Sequence, residues 1–161
     1  MTPGYPQPEV TLSLLDRLTD LDPESKREVP LNPGAQRREF WSGLCRDLTA
    51  LLNTRRATED FDRTFEEAVN SLLTFGIADF TSFNLKKGIE QEQLRRFMER
   101  AVRQFEPRLE RVTVTIEETD SQRPVLLLQI AAVLRTPSAE PVVFDATVQR
   151  DSRHVAVSGG V

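Results

Sequence analysis

The chain has 161 residues and a mass of 18.3 kDa, room for one domain plus an extension but not for two full domains. It is 39% hydrophobic and 29% charged with a net charge of −4, an ordinary globular balance without the basic footprint that bulk nucleic-acid binding needs. One Cys (Cys45) and one His (His154) exclude a disulfide framework and every zinc site built from several such ligands, and favour a reducing compartment.

Residues 1–35 hold six of the ten Pro, so this stretch is expected to be a flexible extension. No basic run precedes an apolar core there, so it does not read as a signal peptide. Its apolar island is Val10–Leu18. Leu14, Leu15 and Leu18 share one helical face, with Asp16 and Arg17 between them and Thr11 or Ser13 able to cap the start. Docking of this segment on another chain is favoured over packing back on its own domain.

The first core helix is expected from Asn32-Pro33-Gly34 to Asn53-Thr54, with Phe40, Leu44, Leu48, Leu51 and Leu52 inward. Trp41 and Cys45 flank that stripe, which makes Cys45 an inert thiol rather than a nucleophile. After a loop at Ala57–Asp60, a second helix is expected over Phe61–Leu73, with Phe61, Phe65, Val69, Leu72 and Leu73 inward and Gly76 as its stop. Thr74–Lys87 reads as a connection pinned by Phe75, Ile77, Phe80 and Phe83. The third helix runs from Gly88 to Phe105 on a stripe of Leu94, Met98, Ala101, Val102 and Phe105. Glu92–Arg96 and Glu99–Arg103 are local i,i+4 pairs, and Arg95, Arg96, Arg100 and Arg103 give a basic face, read as solvated ahead of the alternative that it binds a partner.

Pro107 ends that helix. From Leu109 the period changes to two: Val112, Val114 and Ile116 alternate with polar residues. Val125–Leu134 is apolar on both faces, which predicts a central strand covered on both sides. It is too short to span a bilayer as a helix, so a cytoplasmic protein without direct membrane insertion is expected. Val142, Phe144, Ala146 and Val148 mark a third strand and the candidate edge of the sheet. Asp151–Val161 reads as a frayed tail in which His154–Val157 could add a short strand. Helices followed by an antiparallel meander give an α+β fold, divided into an extension (1–35), a domain (36–150) and a tail (151–161).

The chemistry is sparse. There is no Gly-x-Ser-x-Gly, no phosphate-binding glycine loop and no metal-ligand spacing, so no catalytic residue, metal or cofactor is expected. Carboxylate pairs for glycoside hydrolysis remain, with Glu66, Glu67, Glu106, Glu117 and Glu118 as candidates, but only Tyr5 and Trp41 could stack a sugar well. Of the 21 basic residues, 18 are Arg, which fits either a GC-rich genome or bidentate contacts within an assembly. At the helix–strand junction stand Glu106, Pro107 and Arg108. Rigid Pro projects the two opposite charges in defined directions; a local ion pair is the equally weighted alternative.

Phe105–Leu109 followed by Arg111–Val114 resembles the signature of the lysozyme-like baseplate wedge proteins of contractile phage tails, and is closest to their type VI secretion counterpart, the TssE family. Three further stretches are similar to the family's, in the same order: Ser13–Leu18, Asp47–Arg55 and Ser71–Asp79, the last with Ala78 where the family has Pro. The resemblance spans about residues 10–150. It implies a domain like the handshake domain of contractile sheath proteins and a structural role in a bacterial contractile injection machine. It implies that Glu106, Pro107 and Arg108 contact the sheath, and that Leu14, Leu15, Asp16, Arg17 and Leu18 dock on other wedge subunits. Sheath proteins and wedge subunits are the partners so implied, with the spike and tube hub reached indirectly, at an inner-membrane-docked baseplate. Strand pairing through Val142–Arg150 would start the sheath. Glu106→Ala or Arg108→Ala is expected to abolish sheath assembly with folding intact. Muramidase activity is the alternative.

Overall fold

A computed structural model describes residues 10–19, 24, 32–57, 64–69, 71–85, 88–117 and 124–159. Helices α1 (Leu14–Leu18), α2 (Pro33–Asn53), α3 (Glu66–Val69) and α4 (Gly88–Phe105), with a 3-10 turn at Leu72–Thr74, precede strands β1 (Leu109–Ile116), β2 (Val125–Leu134), β3 (Pro141–Gln149) and β4 (Val155–Gly159). The strands form one antiparallel sheet in chain order, β1-β2-β3-β4. Helices α2 and α4 lie on its inner face, so the fold is α+β in two layers, as expected.

Helix α2 begins where Asn32 Oδ1 accepts from the Ala35 N–H at 2.8 Å, with Pro33 in the first turn. It buries Phe40, Leu44, Leu48, Leu51 and Leu52. Helix α4 buries Leu94, Met98, Ala101 and Val102, while Ile89 stays exposed. Their sheet partners include Val112, Val114, Leu128, Ile130, Phe144 and Val148, each at most 1% exposed. Full burial of one such side chain stabilises the fold by roughly 1.5–3 kcal/mol.

Several expectations are corrected. The segment expected as one helix over Phe61–Leu73 carries only the single turn α3 and the 3-10 turn among its described residues; Phe61 lies outside them. Phe65, Leu72 and Leu73 face solvent rather than the core. Local hydrogen bonds compete with the helix here: Ser71 Oγ accepts from Leu73 N–H at 3.2 Å, and Thr74 Oγ1 donates to Val69 O at 2.6 Å. Gly76 serves a chain crossing. At φ +100° its backbone passes so close to Thr54 that any Cβ would collide with the Thr54 carbonyl oxygen. That approach allows Ile77 N–H to donate to Thr54 O and Arg56 N–H to Ile77 O, both at 2.9 Å. Ile77 and Phe80 are buried, as expected for anchors of this connection.

Strand β2 is not covered on both faces. Leu126, Leu128, Ile130, Ala132 and Leu134 are buried, whereas Val125, Leu127, Gln129, Ala131 and Val133 alternate with them half-buried on the outer face. In β1 a bulge between Glu110 and Thr113, with Arg111 at φ 52°, lets Leu109 and Val112 both point inward although they are three residues apart. The tail is not frayed over its described part: β4 pairs with β3 from Val155↔Val148 to Gly159↔Phe144, and Val155 is fully buried. Strand β3 is therefore internal, not the edge, and Val142, Phe144, Ala146 and Val148 are core residues. The edge reading rested on β3 being the last strand of the meander, and β4 takes that place.

Candidate functional site

Residues Glu106-Pro107-Arg108-Leu109 form a tight turn joining α4 to β1. Glu106 N–H closes the helix on Val102 O at 3.0 Å, and Leu109 N–H returns to Glu106 O at 3.1 Å across Pro107 and Arg108. Proline suits the second position of such a turn. The turn brings the two charged side chains together. Arg108 donates through Nε to Glu106 Oε1 at 2.7 Å and through Nη2 to Glu106 Oε2 at 2.6 Å, a bidentate pair. The Arg108 N–H also donates to Oε1 at 3.1 Å. Glu106 is only 4% exposed. The Arg108 guanidinium lies 5.9 Å from the Phe40 ring centroid. Its carbonyl accepts from Arg135 N–H at 2.8 Å, fixing the corner to the end of β2. Between the two readings of this motif, the structure shows an intramolecular ion pair.

The pair does not stand alone. Arg108 Nη2 also donates to Asp47 Oδ2 at 2.8 Å, and the other oxygen of Asp47 accepts from Arg46 Nε and Nη2 at 3.1 and 2.9 Å. Arg46 Nη2 reaches Asp16 Oδ1 on α1 at 2.7 Å. Five groups of alternating sign thus run from the corner through α2 to α1. Burial works against the Arg108 charge, but its hydrogen bonds and attraction to Glu106, then those to Asp47, outweigh burial and raise its pKa. The Asp16 pKa is lowered, first by the Ser13 hydroxyl at 2.6 Å and then, against a smaller burial effect, by Arg46. From the sequence, Arg46 and Asp47 read as the solvent side of α2, with Asp47 also opening the family-like stretch Asp47–Arg55. Nothing local in the sequence pairs Asp47 with a residue 61 positions away.

Helix α1 is anchored on its polar side. The Asp16 side chain is 8% exposed and lies over Gly43, where a Cβ would come within 2.9 Å of Asp16 Oδ2. Val10 just before α1 is buried, and Leu12 packs on the core. Leu14, Leu15 and Leu18 are 70%, 67% and 74% exposed. Arg17 is exposed as well.

A second charge network lies along α4. Arg95 donates to both Glu92 oxygens at 2.7 and 2.8 Å and to Glu99 Oε2 at 2.7 Å; Arg96 pairs with Glu92 at 2.8 Å and Arg103 with Glu99 at 3.0 Å. The sequence reading of this face is solvation, with partner binding as the alternative. Instead, Arg95 Nη1 donates to Val114 O at 3.1 Å, Arg103 Nη2 to Val112 O at 2.6 Å, and Glu99 Oε2 accepts from Val114 N–H at 3.2 Å. Those groups cap the outer edge of β1. The β4 edge is capped by α2: Asn53 exchanges two hydrogen bonds with Val155, at 2.7 and 2.9 Å, and Thr49 Oγ1 accepts from Val157 N–H at 3.3 Å. Side-chain caps of this kind block unintended strand pairing.

Among the described residues the carboxylate candidates are not gathered into a catalytic pair. Glu106 is locked to Arg108 through both carboxylate oxygens, so it is not free to serve a leaving group as a general acid. Glu67 and Glu117 are exposed; the Glu66 side chain and Glu118 lie outside the described residues, as does Tyr5. Trp41 packs edge-on against Phe40 at 5.5 Å and tilted on Phe144 at 5.9 Å. Cys45 Sγ sits 3.5 Å from Gly159 O, and burial raises its thiol pKa, in line with an inert thiol. Among the described residues no three His, Cys, Asp or Glu side chains converge as metal ligands, and no helix is long and apolar enough to cross a membrane.

Residues 42–139 match the sequence-family model described as baseplate wedge protein gp25. The matched stretch contains Asp47, Glu106 and Arg108 and leaves α1 outside. No curated protein sequence matches the chain.

Proposed function

Given that this chain belongs to the gp25 family of baseplate wedge proteins, we propose that it is a non-enzymatic subunit of a type VI secretion baseplate that starts assembly of the contractile sheath. The observation that carries this reading is the Glu106–Arg108 corner. It is a buried ion pair in a fixed turn, tied to α2 and through it to α1. Such a corner offers a partner a preformed shape and a partly exposed guanidinium, which lowers the side-chain ordering cost of binding. The sheath contact is assigned to Glu106, Pro107 and Arg108.

Leu14, Leu15 and Leu18, presented outward, dock on other wedge subunits. Any strand pairing with a sheath segment falls to the outer edge of β4. There an incoming strand displaces a neutral amide and a hydroxyl; at β1 it would have to displace charged Arg and Glu side chains hydrogen-bonded to the strand backbone. The working place is the cytoplasmic side of the inner membrane, with the spike and tube hub contacted only through other subunits.

The test is affinity co-purification of the full chain from its native cell, with and without residues 1–20. Recovery of wedge and sheath proteins by the full chain, and loss of the wedge proteins on truncation, is expected. Recovery of neither by the full chain contradicts the role. The muramidase alternative predicts reducing sugar released from purified cell wall; none is expected across pH 4–8.

A further inference from the structure

Helix α1 is amphipathic the wrong way round for a surface helix. Its acidic side chain is turned into the domain and its three leucines are turned out. Five residues cannot hold a helix unaided; α1 is seated by Val10, by the Ser13 cap and by the Asp16–Arg46 bond. The absence of a side chain at Gly43 makes room for that seat. The seat is one end of the alternating series Asp16, Arg46, Asp47, Arg108, Glu106. In its middle, Asp47 gives one oxygen to Arg46 and the other to Arg108. A carboxylate held on both sides cannot turn toward one partner without loosening the other.

We propose that Asp16, Arg46 and Asp47 are positioning residues that couple α1 to the Glu106–Arg108 corner, so that seating of α1 by a partner helix on Leu14, Leu15 and Leu18 fixes the Arg108 guanidinium. The inference rests on the docking and sheath-contact reading above and adds the link between the two surfaces. An apolar stripe on a wedge-subunit helix is the occupant that fits the three exposed leucines; of the two charges among them, Asp16 is paired within this chain and Arg17 stays exposed at the margin of the contact. Docking at α1 then favours the corner geometry that meets the sheath. By linkage, engagement of the corner tightens docking at α1 by the same factor. A subunit free of the wedge would hold its corner less firmly and be a poorer place to start a sheath.

The link is measured on the isolated full-length chain by NMR, as water exchange of the Arg108 Nε–H, the proton given to Glu106 Oε1. Asp16→Asn removes the charge at the far end. Gly43→Ala keeps every charge and displaces Asp16 by a methyl group. Both are expected to raise Arg108 Hε exchange at least threefold, while Glu92→Gln, in the separate α4 network, leaves it unchanged. In an Asp47→Asn background, Asp16→Asn should add nothing further. Unchanged exchange in both Asp16→Asn and Gly43→Ala overturns the coupling, as does an equal rise in Glu92→Gln, which would mean general loosening. The readout needs no partner, so its failure is distinct from failure of the co-purification, which would remove the docking reading instead.

Discussion

The two charge networks use the same residue types and differ in what they join. On α4, Glu92, Arg95, Arg96, Glu99 and Arg103 pair within four positions of one another and close the edge of β1. At the corner, the pairs Asp47–Arg108 and Asp16–Arg46 span 61 and 30 positions and bind three separate segments. The Arg96 side chain is 70% exposed, whereas that of Glu106 is 6% exposed. A local, wet pair such as Arg96–Glu92 contributes little to stability, because water already solvates both partners. A buried pair can contribute little net as well, yet removing one partner is costly, since the other is left buried and charged. The corner is thus the place where a single substitution is expected to tell.

Arg108→Ala should have the largest effect, a loss of about 3–5 kcal/mol in urea unfolding, from the stranded Glu106 carboxylate. This revises the expectation that alanine variants leave folding intact. Glu106→Gln combined with Arg108→Gln removes both charges together and should cost less than about 2 kcal/mol. A double variant as unstable as the sum of its singles would deny that the two residues act as a unit.

On α4, Arg95→Ala should cost about 1 kcal/mol, chiefly because Val114 O loses its donor. Faster amide exchange along β1 checks it; unchanged exchange would mean the edge is not capped by this helix. Acid sharpens the comparison further. Glu92 is held at a pKa of about 2, first by its hydrogen bonds to Arg95 and then by those to Arg96. Asp16 is also lowered, chiefly by Ser13. Both folded values lie below the unfolded ones. The pairs therefore contribute above the ordinary carboxylate range and are lost only as pH falls through the lowered values. Carbon-13 titration should place the Glu92 midpoint near 2; a midpoint near the ordinary value of about 4.3 would contradict the pairing. Arg96→Gln is the smallest perturbation, with no measurable shift in the urea midpoint expected; a clear destabilisation would show that exposure is a poor guide here.

The same contrast explains what was legible in the sequence. Helix α2 is readable from its Asn32 cap and apolar period, and α4 from its apolar period and the Pro107 stop. The Glu92–Arg96 and Glu99–Arg103 pairs were readable from spacing alone. The second helix was misread because Phe65, Leu72 and Leu73 have helical spacing yet point outward. Ser71 and Thr74 instead turn the backbone on itself, and Gly76 is needed at Thr54. The edge was misplaced because β4 is five residues long with little apolar run: the sequence offers a short strand at His154–Val157 only as an option, and the pairing with β3 and the capping by Asn53 decide it. Glu106, Pro107 and Arg108 stood out as a motif. Their partner Asp47 did not, because only the packing of α2 beside the corner brings it near.

The most direct test of the assigned role is sheath assembly in cells whose only copy carries Glu106→Gln with Arg108→Gln, imaged through a fluorescent sheath subunit. The account predicts a folded protein at wild-type abundance that still co-purifies wedge subunits through α1 and assembles no sheaths. Wild-type numbers of sheaths in that strain would contradict it.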